Sequence, residues 1–305
     1  MVVGIDPDPA RLWPAAAGRA PQARARLVQA LAAADEAAHG LAGTGAAPPS
    51  AGSARFEAAA AVLAHSLALI DAAAPACVAA KPQLAFFEQL GAPGWLALEC
   101  VCTRARAAGL LVLADAKRGD VPSTAEAYAR ALAGPAPGLG ADAFTANPLL
   151  GRDALAPLVD GARAAHGGVF VLVRTSNPGA ADVLDLPLAT GEPLWERLAA
   201  IVDELGAGGA GGGLADVGAV AGATVPEHLA RMRDLMPRAP FLLPGIGAQG
   251  GAVEALAPAF APGRAAGLVT ASRSIANAHE QHGGDPAAAA RREAERLRAA
   301  AWALA

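Results

Sequence analysis

The chain has 305 residues, is 54% hydrophobic, and carries 24 Lys and Arg against 28 Asp and Glu, a net charge of −4. This is enough apolar material for one large core, and it leaves no basic footprint for nucleic acid or an anionic membrane, so an anionic ligand has to be met by a local site. Cys77, Cys100 and Cys102 form no CxxC pair and have no His-rich partner segment, which excludes the usual zinc pattern and points to reduced thiols in a cytoplasmic protein.

In chain order, the opening Met1-Val2-Val3-Gly4-Ile5-Asp6 lacks the charged leader and apolar run of a secretory signal and instead predicts a first strand at 2–6. Further short apolar runs bounded by turn residues predict strands at 76–81, 110–115, 141–145, 169–174, 215–220, 241–244 and 267–271. Longer Ala/Leu/Arg segments of helical period separate them, two such segments lying between the first and second strands. Eight strands alternating with helices predict a (β/α)8 TIM barrel, a fold of about 250 residues, with 1–305 read as a single domain. Residues 40–54 and 206–213, rich in Gly and Ala, predict flexible surface loops within that barrel. Charges, Gly or Pro interrupt the apolar stretches, so no membrane span is expected.

Chemistry in this fold collects at the carboxyl ends of the strands. Those ends read Asp6, Lys81, Asp115 with Lys117, Asp142 to Asn147, Arg174 to Asn177, Ala223-Thr224, Gly245 to Gly251, and Ser272-Arg273. Alternation along a strand lets Asp115 and Lys117 point into the same barrel mouth. With Lys81 they would form an alternating acid–base array, and ion pairs withdrawn from water cost several kcal/mol per ion unless well paired. Both a catalytic array and a structural salt-bridge network at the rim fit these residues.

Ser123-Thr124-Ala125-Glu126 has the spacing of a capping box, with Ser123 as the cap, and leaves Thr124 near the mouth. The glycine-rich run Pro244 to Gly251, containing Gln249 and Gly250, lets backbone N–H groups approach an anion, and Arg273 supplies a charge partner. Because the loops after strands 7 and 8 are the usual phosphate site of this fold, phosphate binding is favoured over a simple tight turn. Ser176 and Asn177 read first as an Asn-Pro turn with serine as its local partner. The six histidines form no His-x-x-x-His or His-x-His pattern, and no Gly-x-Ser-x-Gly elbow appears, so neither a histidine metal site nor nucleophilic acyl transfer is expected.

Asp115-Ala116-Lys117-Arg118-Gly119-Asp120 is similar to the Asp-x-Lys-x-x-Asp signature of orotidine 5'-monophosphate decarboxylases. Lys81-Pro82-Gln83, Phe86-Phe87-Glu88, Thr145-Ala146-Asn147-Pro148, Thr175 to Gly179, Pro244 to Gly251 and Ser272 to Ile275 resemble the longer, bacterial branch of that family, in its order. The resemblance spans about Gly4 to Ala276 and implies cofactor-free, metal-free conversion of orotidine monophosphate to uridine monophosphate by a homodimer with shared sites.

It further implies that Lys81 and Asp115 flank the reacting centre, that Lys117 protonates C6, and that Asp120 and Thr124 cross the dimer interface. By the same resemblance Asp6 holds ribose hydroxyls, Ser176 the pyrimidine edge, and Gln249, Gly250 and Arg273 the phosphate. Metal-dependent keto-gulonate phosphate decarboxylases and hexulose phosphate synthases share the motif and are the nearest alternative. A Schiff-base aldolase is disfavoured, because Asp115 and Asp120 would raise rather than lower a lysine pKa. Two features depart from the family pattern: Val121-Pro122 stands where Ile-Gly is common, and the chain begins almost on the first strand, leaving an upstream start open.

Overall fold

A computed structural model describes residues 1–38, 53–135, 138–208, 213–224, 226–247 and 251–304. All eight predicted strands form: β1 (Val2–Ile5), β2 (Ala79–Pro82), β3 (Leu111–Arg118), β4 (Ala143–Ala146), β5 (Gly168–Arg174), β6 (Val217–Ala221), β7 (Phe241–Leu243) and β8 (Gly267–Ala271). Each pairs in parallel with its sequence neighbour, and β8 closes on β1, giving the (β/α)8 barrel.

The alternation of a parallel strand sorts the side chains into two shells. Val3, Ile5, Val112, Ala114, Phe144, Val169, Val171 and Val173 face outward into the core beneath the helices. Leu113, Phe170, Val220 and Leu242 face inward and form a separate apolar cluster inside the barrel. Residues two further along the same strands, such as Asp115 after Leu113, therefore emerge at the mouth directly beyond an apolar floor.

Several local readings need correction. Residue 76 belongs to a 3-10 turn, Ala74–Ala76, led by Pro75, so β2 starts later than predicted. Asp142 precedes β4 and accepts the Val112 N–H at 2.7 Å, which places it at the strand entrance rather than the mouth. Ser123 is not a cap, because the helix Pro122–Leu132 starts one residue earlier: Val121 is its N-cap and Pro122, whose missing N–H costs nothing at that position, is its first residue.

The helical stretch Ala54–Ala76, formed by the helix Ala54–Ala73 and the 3-10 turn that follows it, is long and apolar enough by composition to span a membrane, contrary to the expectation that Gly, Pro or charges interrupt every such stretch. It packs instead against the helices Ala20–Ala38, Ala92–Ala107 and Pro286–Trp302, as a core helix of the outer shell. Of the two predicted flexible loops, residues 40–52 and 209–212 lie outside the described residues. Ser53 accepts the Phe56 N–H as a helix cap, and Gly206 ends the helix Leu194–Gly206.

Candidate active site

Asp115 stands at the centre of the mouth, 6% exposed. Its carboxylate accepts four hydrogen bonds, two at each oxygen. Oδ2 takes Lys81 Nζ at 2.5 Å and Gln83 Nε2 at 3.0 Å. Oδ1 takes Lys117 Nζ at 2.5 Å and the Thr145 hydroxyl at 3.0 Å. An ionised carboxylate offers about four lone-pair sites, so this one is saturated.

Burial by itself pushes the Asp115 carboxyl up, but the Lys81 and Lys117 charges and the hydrogen bonds from both ammonium groups outweigh it and hold its pKa at about 2. Burial likewise pushes the Lys81 ammonium down. The charges of Asp115 and Asp6 and the hydrogen bond to Asp115 override it, so its pKa stands above the ordinary lysine value. Asp115 and Lys81 are thus both ionised at neutral pH.

Lys117 reaches Asp115 from the same strand, as alternation predicts, but not along a regular strand. Between the pairs Ala114↔Phe144 and Arg118↔Ala146, three residues of β3 oppose the single residue Thr145 of β4. Lys117 sits in this bulge at φ +50°, a left-handed conformation that costs a non-glycine residue roughly 1 kcal/mol or more. Its side chain is 43% exposed and points along the mouth, whereas Lys81 is 5% exposed at the wall.

Gly119 follows because a side chain there would collide with the Asn147 carbonyl, 2.5 Å from the position of a Cβ. Arg118 turns away from the mouth, donating to the Glu88 carboxylate and to the Ala116 carbonyl at 3.2 Å. It thereby ties the Phe86-Phe87-Glu88 segment to the strand bearing the array.

Asp6, Lys81, Asp115, Lys117, Ser176 and Arg273 all line one cavity of about 400 Å³ at the carboxyl end of the barrel. Three cations and two carboxylates face it, a locally positive mouth in a chain whose net charge is −4. Asp6 Oδ1 is buried without a hydrogen-bond partner among the described residues. Arg273, exposed at the start of the short helix Arg273–Ala276, has no side-chain partner among them either. On the opposite wall, Thr175 rather than Ser176 is the local partner of Asn177, at 2.7 Å, and Arg174 is taken up by a bidentate pair with Asp185 at 2.8 Å.

The glycine-rich segment after β7 folds back on itself, Gly251 N–H donating to Gly245 O at 3.0 Å. Gly247, at φ +74°, comes so close to Ser274 that a Cβ would lie 3.0 Å from the serine Cβ. The loops after β7 and β8 therefore meet beside Arg273. Gln249 and Gly250 lie outside the described residues.

Asp120 and Thr124 do not line the cavity. Asp120 accepts its neighbour Val121 N–H at 2.7 Å, and Asp120 and Thr124 are each half-buried. Two donors to Asp115, Gln83 and Thr145, lie in segments that carry the family resemblance but have no role assigned from the sequence. Gln83 is two residues beyond Lys81, a spacing that could have flagged it, whereas the position of Thr145 depends on the bulge.

His65 accepts the Trp13 N–H at 3.1 Å, and burial lowers its pKa to about 4. Burial raises Cys77 to about 11 and Cys102 to about 12, far from a reactive thiolate. Among the described residues no group of three His, Cys, Asp or Glu side chains is arranged to hold a metal ion.

The family model described as orotidine 5'-phosphate decarboxylase / HUMPS matches residues 58–292. The orotidine 5'-phosphate decarboxylase of Deinococcus radiodurans is 48% identical over 214 residues, 69% of this chain and 75% of that protein. That of Halorubrum lacusprofundi is 46% identical over 218 residues, covering 70% and 73%. The solved structure of Leishmania donovani OMP decarboxylase superposes with a TM-score of 0.65 at 36% identity, over 80% of this chain and 89% of that one. By the extent of the family match and the identity to these relatives, the chain belongs to the orotidine 5'-phosphate decarboxylase / HUMPS family.

Proposed function

We propose that this chain decarboxylates orotidine 5'-monophosphate to uridine 5'-monophosphate, closing de novo pyrimidine synthesis in the cytoplasm, with Lys117 as the proton donor to C6. The observation that carries the reading is the saturated Asp115 carboxylate, which fixes one ammonium on each of its oxygens beside a positive cavity. The family description also names HUMPS, but the relatives matched above bear the decarboxylase name.

In this reading the C6–carboxylate bond breaks and its electron pair stays on C6, where no conjugated sink accepts it. Stabilisation then falls to preorganised charge, and the Lys117 ammonium is positioned to supply it. The ammonium transfers its proton to C6, forming the new C–H bond, and recovers a proton from solvent. Asp115 lies against the departing carboxylate, and Lys81 on its other oxygen keeps the acid ionised throughout. Arg273 and the backbone of the loop after β7, with Gln249 and Gly250, bind the phosphate, whose distance from C6 lets binding energy help close the site. Asp6 takes the ribose hydroxyls and Ser176 the pyrimidine edge.

Asp120 and Thr124 act in the cavity of a second copy. Supporting this, Val121, Leu149 and Leu150 are exposed apolar residues on the loops after β3 and β4, and Leu149 is 79% exposed. These loops are locked together where Gly119 meets Asn147, so they present one surface that a second copy would cover.

The experiment is an absorbance assay of orotidine monophosphate loss with enzyme pretreated with a strong chelator. Metal-independent turnover is expected. No turnover with this substrate would refute the reading, and turnover abolished by the chelator and restored by a divalent cation would point to the metal-dependent branch.

A further inference from the structure

Thr145 makes two hydrogen bonds from a single hydroxyl, and both lead to Lys117. It accepts the Lys117 backbone N–H at 2.9 Å and donates to Asp115 Oδ1 at 3.0 Å, and that same oxygen receives Lys117 Nζ at 2.5 Å. The contacts form a closed ring running from the Lys117 main chain through Thr145 and Asp115 to the Lys117 ammonium. We propose that Thr145 is a positioning residue for the decarboxylation, holding Lys117 at both ends of its side chain; this inference rests on the functional reading above.

The direction of every bond in the ring is determined. Ionised Asp115 can only accept, so the one hydroxyl proton of Thr145 goes to Oδ1 and its lone pair is left for the Lys117 N–H. Thr145 is 1% exposed, so water does not compete for either bond.

The ring also accounts for the bulge. Where three residues of β3 oppose one of β4, the ladder supplies no carbonyl for the Lys117 N–H, and the side chain of the one opposing residue takes its place. A hydroxyl on Cβ is what that geometry demands, and valine has the shape without the oxygen. Lys117 is held at φ +50° by this contact, and its Cα–Cβ direction sets the line along which the ammonium enters the mouth. The effect of Thr145 is therefore on the aim of Lys117, and the phosphate end of the cavity, around Arg273, is untouched by it.

The test compares wild type with Thr145→Val, Thr145→Ala and Thr145→Ser, measuring kcat and KM for orotidine monophosphate and the dissociation constant of uridine monophosphate. Loss of the hydroxyl in the Val and Ala variants is expected to lower kcat by roughly 10- to 100-fold, the scale of a misaligned reacting group. Product affinity should stay within about threefold, and the Ser variant should recover kcat to within about threefold of wild type.

A Val or Ala variant that turns over at the wild-type rate would overturn the proposal while leaving the functional reading intact. So would a Ser variant as slow as Val, or product affinity falling in step with kcat, since either would show that shape alone matters. If Val does not fold, Ala and Ser decide the matter by the same comparison. Absence of turnover in wild type would overturn the functional reading and this inference with it.

Discussion

Lys81 Nζ lies 2.5 Å from Asp115 Oδ2, and both side chains are buried at the wall of the barrel mouth. Neither charge can be removed without leaving the other in a desolvated place. Asp115→Asn removes the partner of two cations and is expected to cost about 3 kcal/mol in urea unfolding, the scale of breaking a buried pair. Lys81→Met leaves Asp115 still held by Lys117 and should cost less than half as much. Equal stability of Asp115→Asn and wild type would contradict the pairing.

The pH dependence follows from the same pair. The folded pKa of Asp115 is depressed from the ordinary 3.8 to about 2, so its contribution is fully present above the unfolded value and is lost as pH falls through the folded one. The stability gap between wild type and Asp115→Asn should therefore shrink by about 2 kcal/mol between about pH 4 and about pH 2, read from unfolding midpoints across that window. The Lys81 pKa is raised, so its contribution is present below the ordinary 10.5 and is lost as pH climbs past that into the folded value.

Arg273 faces the cavity without a side-chain partner among the described residues, at the junction of the loops after β7 and β8. Arg273→Ala should raise KM for orotidine monophosphate roughly 10- to 100-fold, the worth of a charge-assisted hydrogen bond. It should barely change the slow turnover of orotidine, which has no phosphate. Equal losses on both substrates would remove Arg273 from the phosphate site.

All eight strands and their order were legible because each is a short apolar run bounded by turn residues, most with a polar far end, a pattern that needs no knowledge of distant residues. Asp6, Lys81, Asp115, Lys117 and Arg273 were legible for the same reason, as charges at strand ends. Thr145 was not, because its use depends on a bulge that only the pairing of β3 with β4 reveals. The cap assigned to Ser123 failed because Pro122 competes for the first helical position, and a local motif cannot register that competition. Asp120 shows the opposite limit: its motif was plain, yet in a single chain it only caps its own neighbour.

The proposed sharing of sites between two subunits makes a distinct prediction for that residue. Lys117→Ala and Asp120→Asn should each be inactive alone. Mixed and allowed to exchange subunits, they should regain about a quarter of the wild-type rate, because half of the dimers are hybrids and each hybrid carries one intact site. No recovery in mixtures shown to exchange would place Asp120 outside the partner's site.

The most direct test of the central claim is turnover of orotidine monophosphate by Lys117→Ala beside wild type, with binding of uridine monophosphate measured for both. Wild type should turn over, and the variant should bind the product yet show no decarboxylation above background. Substantial turnover by Lys117→Ala would contradict the role of Lys117 as proton donor and, with it, the account of why Asp115 holds an ammonium group on each oxygen.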